Sequence, residues 1–453
     1  MSKIYTEDTI VALSTPLGNA GIGVIRLSGP KAYQILSKIF SIKKKLISHR
    51  VYLGNIISPF DKKLVDYVLA VYMKAPKTYT GEDIVEISCH GGIYIIRKII
   101  GLCIKLHARI AEKGEFTKRA FLNGKIDLLQ AESVLGLIKA KTEAGFSSAM
   151  NQNKGKLSKQ INGLREKLLL SLAYIEGMID FPEDTNATSQ VTKIKNILYE
   201  IDQMLEGANK GKIFSNGILS VIVGAPNVGK SSLLNAFLRE ERAIVTDIPG
   251  TTRDLIEAEI DIQGVLIRIV DTAGLRKAKN RIESIGIRKT HQLIEEAEVV
   301  LLVFDVKKGL KNDFLSKIKV LSAEKRNIIV IGNKVDLVKR PKASKIAGQP
   351  VFYVSAKTGQ GIKNLEQAIV KKALGKNSWN NEKLIIINER HKACLICAKD
   401  RLSRAIEKNI KPGNLELISI ETKEAIRALG EITGKEVSEE VIEKIFADFC
   451  VGK

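Results

Sequence analysis

Gly224-Ala-Pro-Asn-Val-Gly-Lys-Ser231 is a glycine-bounded loop that ends in a lysine and a hydroxyl. An apolar stretch, ILSVIV, precedes it and an amphipathic one, SLLNAFL, follows. That order predicts strand, loop, helix. Gly224 and Gly229 let the backbone turn its N–H groups inward, and the positive helix end adds to their field, so the loop suits phosphate. Lys230 can neutralise β- and γ-phosphate oxygens, and the Ser231 hydroxyl can ligate Mg²⁺. Asn227, Val228 and Ser232 complete the expected contact surface.

Four further elements follow in an order that suits a nucleotide. Thr246-Asp247-Ile248-Pro249-Gly250-Thr251-Thr252 is a loop fit for a switch, with Thr252 as a second Mg²⁺ hydroxyl. Asp271-Thr272-Ala273-Gly274 closes the strand-like GVLIRIV. Asp271 can hold Mg²⁺ through water, and the Gly274 N–H can sense a γ-phosphate. Asn333-Lys334-Val-Asp336 closes NIIVIG, and Ser355-Ala356-Lys357 closes PVFYV. All four lie at carboxyl ends of expected strands, where doubly wound sheets bind ligands. Asp336 is the discriminating group. Its carboxylate can accept from guanine N1–H and N2–H₂ together, and adenine offers no such pair. The expected ligand is GTP with Mg²⁺.

Hydrolysis needs an oriented water and added positive charge. Ras-like enzymes use a glutamine directly after the DTAG glycine; here that position is Leu275. The segment from Arg276 to Arg281 is basic, and Glu283 is the sole carboxylate between Asp271 and Glu295. Glu283 is therefore the candidate to orient water. Charge can come from Arg253, Arg276 or a metal ion. Asn227, with carbonyls from the loop Thr246 to Thr251, can cage a monovalent cation such as K⁺, or can serve as a turn residue. The residues alone leave both open.

The elements that must carry these loops form a regular pattern. Strands and helices alternate from about 216 to 376, as in a mostly parallel sheet with helices on both faces. Before it, residues 1 to about 120 mix helices with strands: IVALST, GVIRLSG, YVLAVYM and DIVEISC are bounded by Gly, Pro and Ser. The run IYIIRKIIGLCIKLHA after Gly91-Gly92 predicts an amphipathic helix. IDLLQAESVLGLIKAKTEAG and KGKLSKQINGLREKLLLSLAYIEGMI predict long helices up to a break at Phe181-Pro182-Glu183, and VTKIKNILYEIDQMLEGAN predicts a third. Helical periodicity returns from about 384 to the last residue. The economical reading is one helical domain with the α/β domain inserted into it.

At 453 residues the chain exceeds one ordinary core, so two or three domains are expected. No apolar stretch reaches the roughly 18–20 residues that span a bilayer. The opening MSKIYTEDTIVALSTP lacks the features of a signal peptide, and a cytoplasmic location is expected. The five cysteines, Cys89, Cys103, Cys394, Cys397 and Cys450, are scattered and make no disulfide framework. His391, Cys394 and Cys397 fall in a helical stretch, where core packing is expected over metal ligation. The net charge is +22 with a pI near 9.6. An RNA partner explains that balance, and so does a lysine-rich composition, since the lysines are spread throughout.

Beyond the nucleotide loops, GIGVIRLSG with TYTGEDIVEISCHGG, the segment GEFTKRAFLNGKIDLLQAE, and the ending FCVGK carry a family resemblance. The chain resembles the tRNA modification GTPases of the MnmE (TrmE) family, essentially end to end. The resemblance implies a multidomain α/β protein. Residues 1–120 would be an α+β folate-binding, dimerising domain. A helical domain would comprise residues 121–214 and 378–453, and a P-loop GTPase domain, residues 215–377, would be inserted between its parts. It implies a homodimer through the N-terminal domain, and a heterotetramer with an FAD-dependent partner of the MnmG/GidA type. Together they would add an aminomethyl-type group at C5 of the wobble uridine of certain tRNAs. A 5-formyl- or methylene-tetrahydrofolate would carry the one-carbon unit. Folate would be held by Arg26, Glu86, Lys125 and Lys453. K⁺ would be held by Asn227, Thr246, Ile248 and Thr251, with Glu283 positioning water and Cys450 near the folate. Val451 stands where the family ending usually has isoleucine, and the basic LRKAKNR lacks expected acidic residues. The competing classes are a ribosome-assembly GTPase of the Era or EngA type and a membrane-recruited GTPase. The first should carry a KH-like module with a GXXG loop, the second an anchor; neither is read here.

Overall fold

Two sheets organise the computed structural model, which describes residues 8–180, 187–238, 256–271, 291–338, 344–375, 387–407 and 414–453. The first sheet comprises β1 (Thr9–Leu13), β2 (Ala20–Ser28), β3 (Val51–Ile57), β4 (Leu64–Met73), β5 (Ile84–Gly91) and β6 (Ala108–Ile110). Their order is β3-β4-β5-β2-β1-β6, antiparallel except for the β1–β6 pair. The residues alternate, as a sheet with two unlike faces requires. One face sends Ile25, Leu27, Val68, Ala70, Val85 and Ile87 into a core closed by α1 (Ala32–Ile39) and α2 (Ile93–Lys105). The four expected strands and the expected helix are present. β3 and β6 escaped the pattern because Gly54 interrupts one and the other has three residues.

The chain divides into two compact units. The first holds Met1–Leu135, Leu157–Asn186 and Glu407–Lys453; the second holds Gly136–Lys156 and Ala187–Ile406. The second lies between segments of the first in sequence, the connectivity of an insertion. Besides its sheet, the first unit carries α3 (Glu115–Leu122), the start of α4 (Leu128–Lys139) and most of α6 (Lys156–Asp180). The second contains α5 (Glu143–Asn153) and α7 (Ala187–Asn216). The stretch expected as one helix is thus α4 and α5. Thr142 makes the break, its hydroxyl accepting the Gly145 N–H at 3.2 Å as a helix cap.

In the second unit β7 (Ile218–Gly224), β8 (Ile256–Ile262), β9 (Val265–Asp271), β10 (Val299–Asp305), β11 (Ile328–Asn333), β12 (Lys345–Ile346) and β13 (Gln349–Val354) form one sheet. Its order is β12-β13-β11-β10-β7-β9-β8, parallel except at the two edge strands. Every residue of β10 is buried, as for a parallel strand covered on both faces. Leu233 and Phe237 of α8 (Lys230–Leu238), with Leu365 and Ile369 of α10 (Ile362–Leu374), cover one face. Ile318 of α9 (Asn312–Ala323) covers the other. The doubly wound expectation holds.

Three further helices follow: α11 (Glu389–Glu407), α12 (Leu415–Thr433) and α13 (Glu439–Ala447). On α11 the buried stripe is His391, Leu395, Ala398, Leu402 and Ala405. Cys397 is exposed and Cys394 partly so. The expectation that both cysteines are core residues is corrected by helical period: they fall beside the stripe rather than on it.

A buried charge cluster ties α3 to the first sheet. The Arg119 side chain is wholly buried and donates to Asp8 Oδ1 at 2.6 Å, Glu115 Oε1 at 3.0 Å and Glu82 Oε2 at 3.2 Å. Arg109 donates to Glu115 Oε2 at 2.8 Å and to Asp8 Oδ2 at 2.6 Å. Burial works against charge on Glu115 and Asp8, but the two guanidinium groups hold both carboxyls below their usual range. A carboxyl depressed in the folded state stabilises above its unfolded pKa. We expect this contribution to be complete above about pH 4.5 and lost as pH falls below it. Arg119→Ala should destabilise the first unit by about 3–5 kcal/mol, because it leaves the largely buried Glu82 carboxylate without its ion-pair partner, while Glu115 keeps Arg109. Thermal melts of both proteins across pH 3–7 check this; equal stability would refute it.

Candidate functional site

The carboxyl ends of β7, β9, β10 and β11 meet at one edge of the second sheet, and the candidate nucleotide residues collect there. Gly229 has φ near +92°, and a Cβ at that position would collide with the Asn333 amide. Only glycine meets both conditions. Asn333 is buried and donates from Nδ2 to the Val228 carbonyl at 3.0 Å. Its Oδ1 accepts from the Lys334 N–H at 2.8 Å and the Ala356 N–H at 3.1 Å. One side chain therefore joins the phosphate loop, the Asn333–Asp336 turn and the Ser355–Lys357 turn. Asp336 Oδ1 accepts from the Ser355 hydroxyl at 2.5 Å, which orients that carboxylate.

Ser231 Oγ donates to Asp271 Oδ2 at 2.7 Å, and Asp271 is fully buried. A hydroxyl and a carboxylate side by side form an all-oxygen donor set, suited to a hard divalent cation. Lys230 is folded over the loop, its Nζ donating to the Gly224 and Ala225 carbonyls at 3.1 and 3.0 Å. Asn227 is exposed at the loop apex with φ near +63°. Its carbonyl accepts from Lys334 Nζ at 2.9 Å. Ser232 and Lys357 are exposed, while Val228 and Ala356 are buried. Thr246, Asp247, Ile248, Pro249, Gly250, Thr251, Thr252, Thr272, Ala273, Gly274 and Glu283 lie outside the described residues, as do Arg253, Leu275 and Arg276.

Asp305 belongs to this edge and escaped sequence reasoning. It ends β10, is buried, and accepts from Lys334 Nζ at 2.7 Å. Burial opposes its charge, but Lys334 and the Lys307 N–H hold its carboxyl below the usual range. The signal that could have found it is an acid closing the apolar run VVLLVFD in a doubly wound sheet.

The first unit assembles a different cluster. Arg26 on β2 and Glu86 on β5 are direct cross-strand partners, with Arg26 Nη2 to Glu86 Oε1 at 2.7 Å. The Arg26 guanidinium lies 5.7 Å from the centre of the Phe116 ring. The Phe116 N–H, an otherwise unpaired donor in the first turn of α3, donates to the main-chain oxygen of Lys453 at 3.2 Å. The Gly114 N–H donates to the Cys450 carbonyl at 3.3 Å, and Ser14 Oγ to the Gly452 carbonyl at 3.2 Å. Gly452 has φ near +93°, and a Cβ there would collide with the Leu13 carbonyl. The last residues are thus strapped across β1 and α3, beside Arg26. Lys125 donates to the Pro76 carbonyl at 2.9 Å. Tyr79 bridges that loop to α3 through Thr117 Oγ1 at 2.9 Å. Burial pushes the Tyr79 phenol up, partly offset by Thr117 and the Arg26 charge. Phe116, Thr117 and Tyr79 escaped sequence reasoning, because their roles depend on the sheet's pairing. Cys450 is exposed.

A model of the GTP-binding protein TrmE N-terminus matches residues 9–125, and one of the MnmE helical domain matches residues 128–450. The tRNA modification GTPase MnmE of Acetivibrio thermocellus is 45% identical over 464 residues, covering 99% of this chain and 100% of that one. Those of Alkaliphilus oremlandii and Carboxydothermus hydrogenoformans are each 42% identical, with the same coverage. The chain belongs to the MnmE family.

It is therefore a GTPase of tRNA modification, and the family, fold class and enzyme class expected from the sequence all stand. No helix among the described residues is long and apolar enough to cross a membrane. Within the family's nucleotide edge, Asp305 holds the lysine that braces Asn227. Asp305→Ala should leave the fold intact and weaken GTP binding about tenfold, the loss of one charge-assisted contact of about 1.5 kcal/mol. Calorimetry with a non-hydrolysable GTP analogue reads this; wild-type affinity would remove Asp305 from the site.

Proposed function

We propose that GTP turnover drives a carboxymethylaminomethyl- or aminomethyl-type modification at C5 of the wobble uridine of certain tRNAs. The work is shared with a MnmG/GidA-type FAD-dependent partner in a heterotetramer, in the cytoplasm. The observation that carries the reading is that Arg26, paired with Glu86, and the C-terminal main chain both meet Phe116. A GTPase that only switches has no use for such a cluster. The donor set fits a reduced folate. Arg26, Lys125 and Lys453 offer cations for its carboxylates or ring oxygens. Glu86 can accept from pterin amino and N–H groups. When bound, the tetrahydrofolate supplies a one-carbon unit; the chain's residues hold and orient it. Cys450 is a candidate nucleophile on the strap.

The same sheet face supports a homodimer through the N-terminal domain. Val51, Leu53, Tyr67 and Leu69 stand exposed on β3 and β4, in the rows that continue to Glu86 and Arg26. Apolar side chains on a sheet face favour a partner of like character. Two copies meeting there would enclose the Arg26–Glu86 pair.

At the nucleotide edge, Ser231 and Thr252 would hold Mg²⁺, with Asp271 acting through water. Lys230 balances phosphate charge, and Asp336 reads guanine. Glu283 orients the attacking water. Asn227, with Thr246, Ile248 and Thr251, would hold K⁺, which supplies the positive charge an arginine supplies in other GTPases.

Cells lacking this chain should lose the modified wobble nucleoside by mass spectrometry. Arg26→Ala should fail to restore it and lose tetrahydrofolate binding in calorimetry. Unchanged nucleosides in the deletion sink the function, and wild-type folate affinity in the variant sinks the folate site. GTP turnover should be at least about tenfold faster in K⁺ than in Na⁺, and Glu283→Ala should bind GTP normally while losing at least about 100-fold in kcat. Equal rates in the two salts exclude the cation, and unchanged turnover in the variant reassigns the water.

A further inference from the structure

A pocket of about 430 Å³ lies between α2 and the turn that joins β3 to β4 and shares no residue with either site above. Arg97, Lys98 and Lys105 line it, with Phe60 as an aromatic wall. Lys105 Nζ sits 5.5 Å from the centre of the Phe60 ring. Lys98 Nζ sits 5.4 Å from that of Tyr94. Among the described residues none of the three cations forms an ion pair. Asp61 also lines the pocket, but its Oδ1 accepts the Lys63 N–H at 3.4 Å within its own turn. The pocket is remote from the Arg26–Glu86 pair. Ile25 and Leu27 point into the core beneath α2, so Arg26 between them points to the opposite face.

Gly101 adds an independent observation. Arg97, Gly101 and Lys105 recur every fourth residue, a single stripe on the helix. Glycine inside a helix is unfavourable relative to alanine. Yet nothing lies within 4 Å of where a Gly101 Cβ would stand. Packing within the chain does not require this glycine. A bare backbone floor between two cations lets a ligand come close.

We infer that this pocket binds RNA backbone, with neighbouring phosphates on Arg97, Lys98 and Lys105 and an unstacked base against Phe60. The inference rests on the family's tRNA substrate and adds a direct contact between this chain and that RNA. Solvent-facing lysines on flexible stems suit phosphates without demanding one geometry. An exposed aromatic ring suits base stacking. The net charge of +22 favours a polyanion. A small anion is a poorer fit, because Arg97 and Lys105 are exposed and no buried donors converge.

Fluorescence anisotropy of full-length protein with labelled tRNA, across a KCl series, tests this. The triple variant Arg97→Gln, Lys98→Gln, Lys105→Gln should bind about tenfold more weakly near 0.1 M salt. Its slope of log affinity against log salt should flatten by about 0.7–0.9 for each phosphate that is no longer neutralised. GTP turnover should remain at the wild-type rate. Phe60→Ala should weaken binding without changing the slope. Gly101→Leu should keep or raise the melting temperature while weakening tRNA binding, which a purely structural role would not produce. Wild-type affinity and slope in the triple variant overturn the inference. So does a wild-type protein with no affinity for tRNA, or a variant that loses inorganic phosphate binding but keeps tRNA. Failure of the proposed function reads differently, as unchanged wobble nucleosides in the deletion cells.

Discussion

The Asn333 carboxamide is the interaction on which the nucleotide edge depends. It is buried, and it spends its hydrogen-bonding capacity on main chain: Val228 on one side, Lys334 and Ala356 on the other. A buried amide left unpaired costs about 1–3 kcal/mol. The three loops therefore hold their relative positions or lose stability together. Lys334 extends the tie to Asp305 and to Asn227. Such an arrangement needs strands that end side by side. A parallel sheet buried on both faces provides this, because its register is set by apolar side chains rather than by the loops.

The first unit solves a related problem with different means. Its sheet is mostly antiparallel and packs α1 and α2 on one face; on the other, Phe116 covers β1 and the rows through Arg26 and Glu86 are left to carry function. Arg26 and Glu86 meet across strands on that face, and the C-terminal strap reaches them from the far end of the sequence. Chain ends fray unless tied down. Here the tie is main-chain hydrogen bonding to Gly114 and Phe116, and a glycine conformation that lets Gly452 lie against Leu13. The buried Arg119 cluster holds α3, and α3 holds the strap. A chain of dependence thus runs from a structural charge cluster to the candidate folate residues. The two sites share one logic: a rigid, fully bonded support below, and polar groups left for a ligand above.

Much of this was legible from local pattern. The strand–loop–helix around Gly224 to Ser231, the acids and amides closing apolar strands, and the helix after Gly91-Gly92 each depend on a few neighbouring residues. What local pattern missed shares a cause. β3 and β6 are too short or too interrupted to carry a period. The α4–α5 break rests on one threonine cap. Cys397 fell outside the core because a helix buries a stripe, and which stripe depends on its neighbours.

By itself the sequence determined most of the element types, the phosphate loop and the family, since spacing and period are local properties and the motifs are specific. Only the tertiary structure decided which distant residues meet. That Asp305 braces Lys334, that Phe116 lies between Arg26 and Lys453, and that Arg97 and Lys105 flank a pocket walled by Phe60 all follow from strand order and register. Those are set by burial of both sheets' apolar faces across separations of many residues, a quantity no short window contains.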